Sequence, residues 1–116
     1  MIQIPVFNST VSDWEERVTL EDQEIIIRIQ WNSRSEFWFA DFDNQQGAKL
    51  LSRKLVPIFP ISYSHRALFP IKGDFVLLPE SDTSPEYPTF DGLGVTHNLY
   101  WLTPDELATW EATLGI

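Results

Sequence analysis

The side chains that could do chemistry are few. His65 and His97 are the two imidazoles of the chain, and Ser64 directly precedes the first. A serine nucleophile needs its hydroxyl within hydrogen-bond reach of an imidazole that is itself held by a buried acid. Neighbours on a strand project to opposite faces, so Ser64 and His65 point apart and read as structural. His97 falls in a run of alternating apolar residues and is expected at a surface or an interface. The stretch Asp41-Phe42-Asp43-Asn44-Gln45-Gln46-Gly47 looks like a calcium loop. An EF-hand, however, places Gly sixth and Glu twelfth, where Gln46 and Ser52 stand here. A hairpin turn accounts for it better. Gly92-Leu93-Gly94 lacks the lysine and the strand-to-helix context of a phosphate loop. Carboxylates are abundant but show no spacing that marks a glycosidase pair. The expectation is therefore a non-enzymatic protein with no catalytic residue, cofactor or metal.

The bulk properties exclude more. With 8 Lys and Arg against 17 Asp and Glu, the net charge is −9, so the chain repels phosphate backbones and specific nucleic-acid binding is not expected. The absence of cysteine removes disulfides, thiolate metal sites and a cysteine nucleophile. No window approaches the ~20 apolar residues of a membrane span. The start Met1-Ile2-Gln3-Ile4-Pro5 has no basic, apolar leader, so a soluble cytosolic product is the expectation. A length of 116 residues fits one domain over 1–116. Aromatics make up 14% of the chain, and together with eight prolines they favour short strands and rigid turns.

The elements that must position these residues are mostly strands. Ile25 to Asp43 is the plainest: two runs rich in β-branched and aromatic residues flank Asn32-Ser33-Arg34-Ser35, predicting a hairpin. In its second arm Phe37, Phe39 and Asp41 share one face, and Trp38, Ala40 and Phe42 the other. The first arm is apolar on both faces, which argues against a free solvent edge. Upstream, Ile2 to Ile4 predicts a short edge strand ended by Pro5, Asn8-Ser9-Thr10 a turn, and Trp14 to Leu20 a strand closed onto Ile25 through Glu21-Asp22-Gln23. Downstream, strands are expected over 48–56, 73–78 and 95–102, with a turn at Gly47 and a short helical turn between Pro60 and Leu68. Residues 79–88 read as a surface loop. Thr103-Pro104-Asp105-Glu106 reads as N-cap, first helical residue and capping box of a terminal helix reaching about Leu114, with Leu107, Trp110 and Leu114 on one face. The fold class is mainly β: an antiparallel β-sandwich or small β-barrel of about six or seven strands with a C-terminal α-helix.

Several segments, in order, carry a resemblance. They are Ile4-Pro5, Trp31-Asn32-Ser33-Arg34, Phe37 to Asp43, Leu55-Val56-Pro57, Phe69-Pro70 with Gly73 to Val76, Pro88-Thr89-Phe90-Asp91-Gly92-Leu93-Gly94, and Leu99 to Leu102. This order resembles the baseplate plug proteins of contractile-tailed phages, of the cyanophage type. The likeness spans about residues 4–102, and the helix over 103–116 lies outside it. Its two most specific pieces are Trp-Asn-x-Arg before an aromatic strand and Pro-x-Phe-Asp-Gly-Leu-Gly. The resemblance implies a structural subunit of the tail baseplate hub, made in the host cytoplasm and assembled in the virion as a symmetric homo-oligomer. Its implied partners are other baseplate and hub proteins: hub, spike, tail tube or wedge subunits. On the two diagnostic pieces, Trp31, Asn32, Arg34, Trp38, Asp91 and Leu93 are the interface candidates. Asn32 also fits a plain turn position and Arg34 a solvated one. A small cytosolic ligand-binding or adaptor β-barrel, with the aromatics lining a pocket, is the alternative.

Overall fold

The computed structural model describes residues 1–5, 13–63 and 69–115. The expected turn at Asn8-Ser9-Thr10, the Ser64-His65 pair and most of the helical turn expected before Leu68 lie outside the described residues. Within them the chain forms β1 (Ile2–Ile4), β2 (Asp13–Leu20), β3 (Gln23–Asn32), β4 (Phe37–Asp43), β5 (Lys49–Lys54), β6 (Asp74–Pro79), β7 (His97–Leu102) and α1 (Pro104–Leu114). All the ladders between these strands are antiparallel, and they make two sheets, ordered β2-β3-β4-β5 and β1-β7-β6. The sheets are not closed on one another, so the architecture is the sandwich and not the barrel.

The four-stranded sheet is a meander whose turns follow from the sequence. Leu20 pairs with Gln23, so Glu21 and Asp22 form a two-residue turn with φ of 53° and 60°. Positive φ at both central positions matches the right-handed twist of the flanking strands. Trp31 pairs with Trp38 and Asn32 with Phe37, which fixes the next loop at Ser33 to Glu36. Along β4 the side chains alternate as expected, with Trp38, Ala40 and Phe42 buried and their neighbours half-exposed. β3 is hydrogen-bonded along both edges, and Ile25, Ile26, Ile27 and Ile29 are all buried. Asn44 Oδ1 accepts from the amides of Gln46 and Ala48, and Gly47 takes φ 85°, which makes the calcium-like stretch a turn.

The main core lies between the sheets. Ile25, Ile27, Ile29, Trp38 and Phe42 from one side meet Phe75, Leu77, Leu99 and Trp101 from the other. Between β5 and β6 the chain straps the outer edge of β6, with the amides of Ile58 and Ile61 donating to the carbonyls of Leu77 and Phe75. Ile58 has φ 79°, unusual for a β-branched residue. Its carbonyl accepts from Trp110 Nε1 at 2.8 Å, which pins the strap to α1. The helix begins as its sequence requires: Thr103 Oγ1 accepts from the Glu106 amide, the Glu106 side chain accepts from the Thr103 amide, and Gly115 closes it at φ 80°. Leu107 packs with Val76 and Leu102 in a second, smaller cluster.

One expectation needs correcting. His97 is not at the surface but fully buried, 0% exposed. His97 shares a face of β7 with Leu99 and Trp101, the face turned to the main core, and the turn through Leu93 and Gly94 folds back onto its end of the strand.

Candidate functional site

The tip of the β3–β4 hairpin is built around Asn32. Its Oδ1 accepts from the amides of Arg34 and Ser35, both at 3.0 Å, and its carbonyl accepts from the Glu36 amide at 2.7 Å. Glu36 closes the loop at φ 62°. Asn32 therefore does the turn-forming work, and it leaves Arg34 exposed at the tip. No ion pair forms at the Arg34 guanidinium among the described residues.

The second motif folds into a compact knot of turns. Gly92 N donates to Thr89 O, and Gly92 O accepts from the amides of Val95 and Thr96 at 2.8 and 2.7 Å. A Cβ at Gly92 would sit 2.8 Å from Thr96 Oγ1 and 3.0 Å from Thr89 Oγ1, so the turn leaves no room for a side chain. Gly94 takes φ 86°, Leu93 is buried in the main core, and Asp91 accepts from Thr89 Oγ1 at the surface. Each residue of Pro88-Thr89-Phe90-Asp91-Gly92-Leu93-Gly94 thus has a local reason to be there.

The fold brings these two motifs together. Trp38 Nε1 donates to Thr89 O at 2.9 Å, and Phe90 stacks on Trp38 with 6.0 Å between centroids. Trp31 meets Phe90 edge-on at 5.6 Å and Trp38 at 5.4 Å, and Trp14 closes the cluster from β2. Beside it Phe37 meets Tyr87 at 5.1 Å, with Lys54 Nζ 3.6 Å from the Phe37 centroid. A groove of about 410 Å³ runs between tip and loop, floored by Trp31, Pro88 and Phe90 and rimmed by Glu36 and Asp91. Aromatic floor and carboxylate rim suit a flat or cationic side chain presented by another protein.

Of the six interface candidates, Trp31, Asn32, Arg34 and Asp91 reach the surface of this one region. Trp38 and Leu93 do not, being 1% and 0% exposed, and they hold the surface residues in place from beneath. Sequence reasoning missed Glu36, Lys54, Tyr87 and Phe90. Phe90 was within reach, since it stands inside the quoted motif, whereas Lys54 depends on a tertiary contact.

Elsewhere, a groove of about 340 Å³ between the strap and the 79–88 loop includes Ile58, Ser84, Pro85, Tyr87 and His97. His97 Nδ1 lies 2.8 Å from Thr96 Oγ1. Burial pushes the His97 pKa below the usual histidine value, opposed by the Pro85 carbonyl and by Glu80. Glu16, on the inner face of β2, is pushed above the usual glutamate value by burial. No group of three or more metal-ligating side chains occurs among the described residues. Trp38, Phe42 and Phe75 are almost wholly buried in the core, whereas Trp31, Tyr87 and Phe90 line the groove at the hairpin tip.

A family model described as cyanophage baseplate Pam3 plug gp18 matches residues 1–105 of the chain. No curated protein matches it.

Proposed function

Because the chain belongs to the cyanophage baseplate plug family, a structural protein of the virion tail baseplate, we propose that it sits in the hub at the end of the tail tube. There it forms a symmetric homo-oligomer and meets hub, spike, tube or wedge subunits through the hairpin tip and the 87–94 loop. One observation carries this reading: the two most diagnostic segments of the sequence, some fifty residues apart, form one continuous surface joined by the Trp38–Thr89 hydrogen bond. Catalysis forms no part of the role. The net charge of −9 supports a place beside the DNA conduit, where an acidic wall keeps the genome from sticking.

In this reading Arg34 makes a bidentate contact to a carboxylate of a neighbouring subunit. The test is Arg34→Ala, followed by size-exclusion chromatography and negative-stain imaging, alone and with neighbouring gene products. Loss of the ring or co-complex with an unchanged melting curve is the expected result. Unaltered assembly removes the tip from the interface.

A further inference from the structure

The four-stranded sheet ends in β2 and β5, and the outer backbone edges of both strands have no ladder partner among the described residues. Such an edge is a template for pairing with another chain. The β6 edge of the other sheet, by contrast, is covered by the strap from Ile58 to Ile61.

The two open edges differ in sign. β2 carries Asp13, Glu15 and Glu16 against Arg17, which is itself paired to Glu24 at 3.1 Å, and Glu21 and Asp22 extend the acidic character into its turn. β5 carries Lys49, Arg53 and Lys54 and no acid. Charged edges can serve simply to block pairing. Here, however, only like edges block one another: β2 against β2 sets carboxylate beside carboxylate, and β5 against β5 cation beside cation. β5 against β2 is complementary.

Direction agrees with charge. Three successive antiparallel ladders make β5 run opposite to β2, so a β5-to-β2 joint continues the ladder without a break. On the outer face the signs already alternate from Glu15 to Arg28 to Asp41 to Lys49, with separations of 3.4 Å for the first pair and 3.9 Å for the last. A neighbour's Glu15 would carry the alternation on.

We propose that β5 of one copy pairs with β2 of the next, joining the four-stranded sheets of successive copies into one continuous circular sheet. This rests on the oligomeric plug reading and specifies its joint. A head-to-tail joint leaves one open edge at each end, and it closes as a ring when the rotation allows.

The test uses two full-length double variants, Lys49→Glu with Lys54→Glu, and Asp13→Lys with Glu15→Lys. Wild type is expected as a closed oligomer in analytical ultracentrifugation, and each variant alone, having two edges of like sign, as the 13.5 kDa monomer. Mixing the two variants restores the oligomer with alternating composition. Thr19→Pro probes the backbone without changing charge. Leu20 and Gln23 flank a two-residue turn and exchange both hydrogen bonds, so the Thr19 amide points outward. That variant keeps its melting temperature and fails to assemble. A wild-type chain that stays monomeric at high micromolar concentration overturns the joint, as does assembly that survives either charge reversal. Incorporation into tails is scored separately. Reversed variants that still enter tails as an unaltered ring overturn the joint and leave the baseplate role standing. A wild-type chain absent from tails removes that role and leaves the joint to the solution result.

Discussion

Replacing Trp38 by Phe tests whether the surface formed by the hairpin tip and the 87–94 loop is held as described. Phenylalanine keeps a ring to stack on Phe90 but loses the Nε1 donor to Thr89 O and the outer part of the indole, which lies among Trp14, Trp31 and Phe90. The lost hydrogen bond costs about 1 kcal/mol. The void adds about 1–2 kcal/mol, since the indole is only 1% exposed and its neighbours collapse only in part. A total of about 2–3 kcal/mol corresponds to a fall in melting temperature of about 8–12 °C for a domain of this size. Calorimetry measures that fall, and amide exchange locates it. Exchange is expected to quicken most at residues 89–96, with β6 quickened only by as much as the global stability falls. A fall under about 3 °C, or acceleration at residues 89–96 no greater than in β6, would refute the idea that Trp38 clasps the loop.

Two further outcomes follow from the geometry. Burial raises the Glu16 pKa above its ordinary value of 4.5, so the folded state holds the proton to higher pH than the unfolded state does. The group's penalty is therefore absent below pH 4.5 and grows as pH rises from there through the folded value. Glu16→Gln accordingly raises the melting temperature at pH 7, and the gain closes as pH falls below 4.5; a gain independent of pH contradicts this account. Gly73→Ala would place a Cβ 2.3 Å from Leu102 O and 2.8 Å from the Trp101 ring, and the first of these is backbone that cannot swing away. A loss of about 3 kcal/mol, read from the urea midpoint, is expected.

Local chemistry was legible in the sequence, and long-range adjacency was not. The capping box at Thr103 and Glu106, the hairpin turns, and the buried set Trp38, Ala40 and Phe42 all follow from interactions within a few residues or from strand period. His97 was misplaced although it shares a face with Leu99 and Trp101, because whether its end of β7 is covered depends on the turn through Leu93 folding back onto it. The groove was half legible for a similar reason. Both motifs stand out in one dimension, but that Phe90 would lie on Trp38 and Lys54 over Phe37 is decided by how the 87–94 loop crosses the hairpin. Leu93 and Trp38 are conspicuous in the motifs yet serve from inside the core.

The division of the apolar residues into a large cluster between the sheets and a small one beneath α1 has a kinetic consequence. The helix buries chiefly Leu107, and its outer fastenings include the Met1 amine on Glu106 and Trp110 on the Ile58 carbonyl. Releasing those fastenings lets the helix peel away while the interior between the sheets stays dry. The C-terminal helix is therefore expected to open at lower free energy than the interior between the sheets. The family match covers residues 1–105 and so ends within the first turn of that helix.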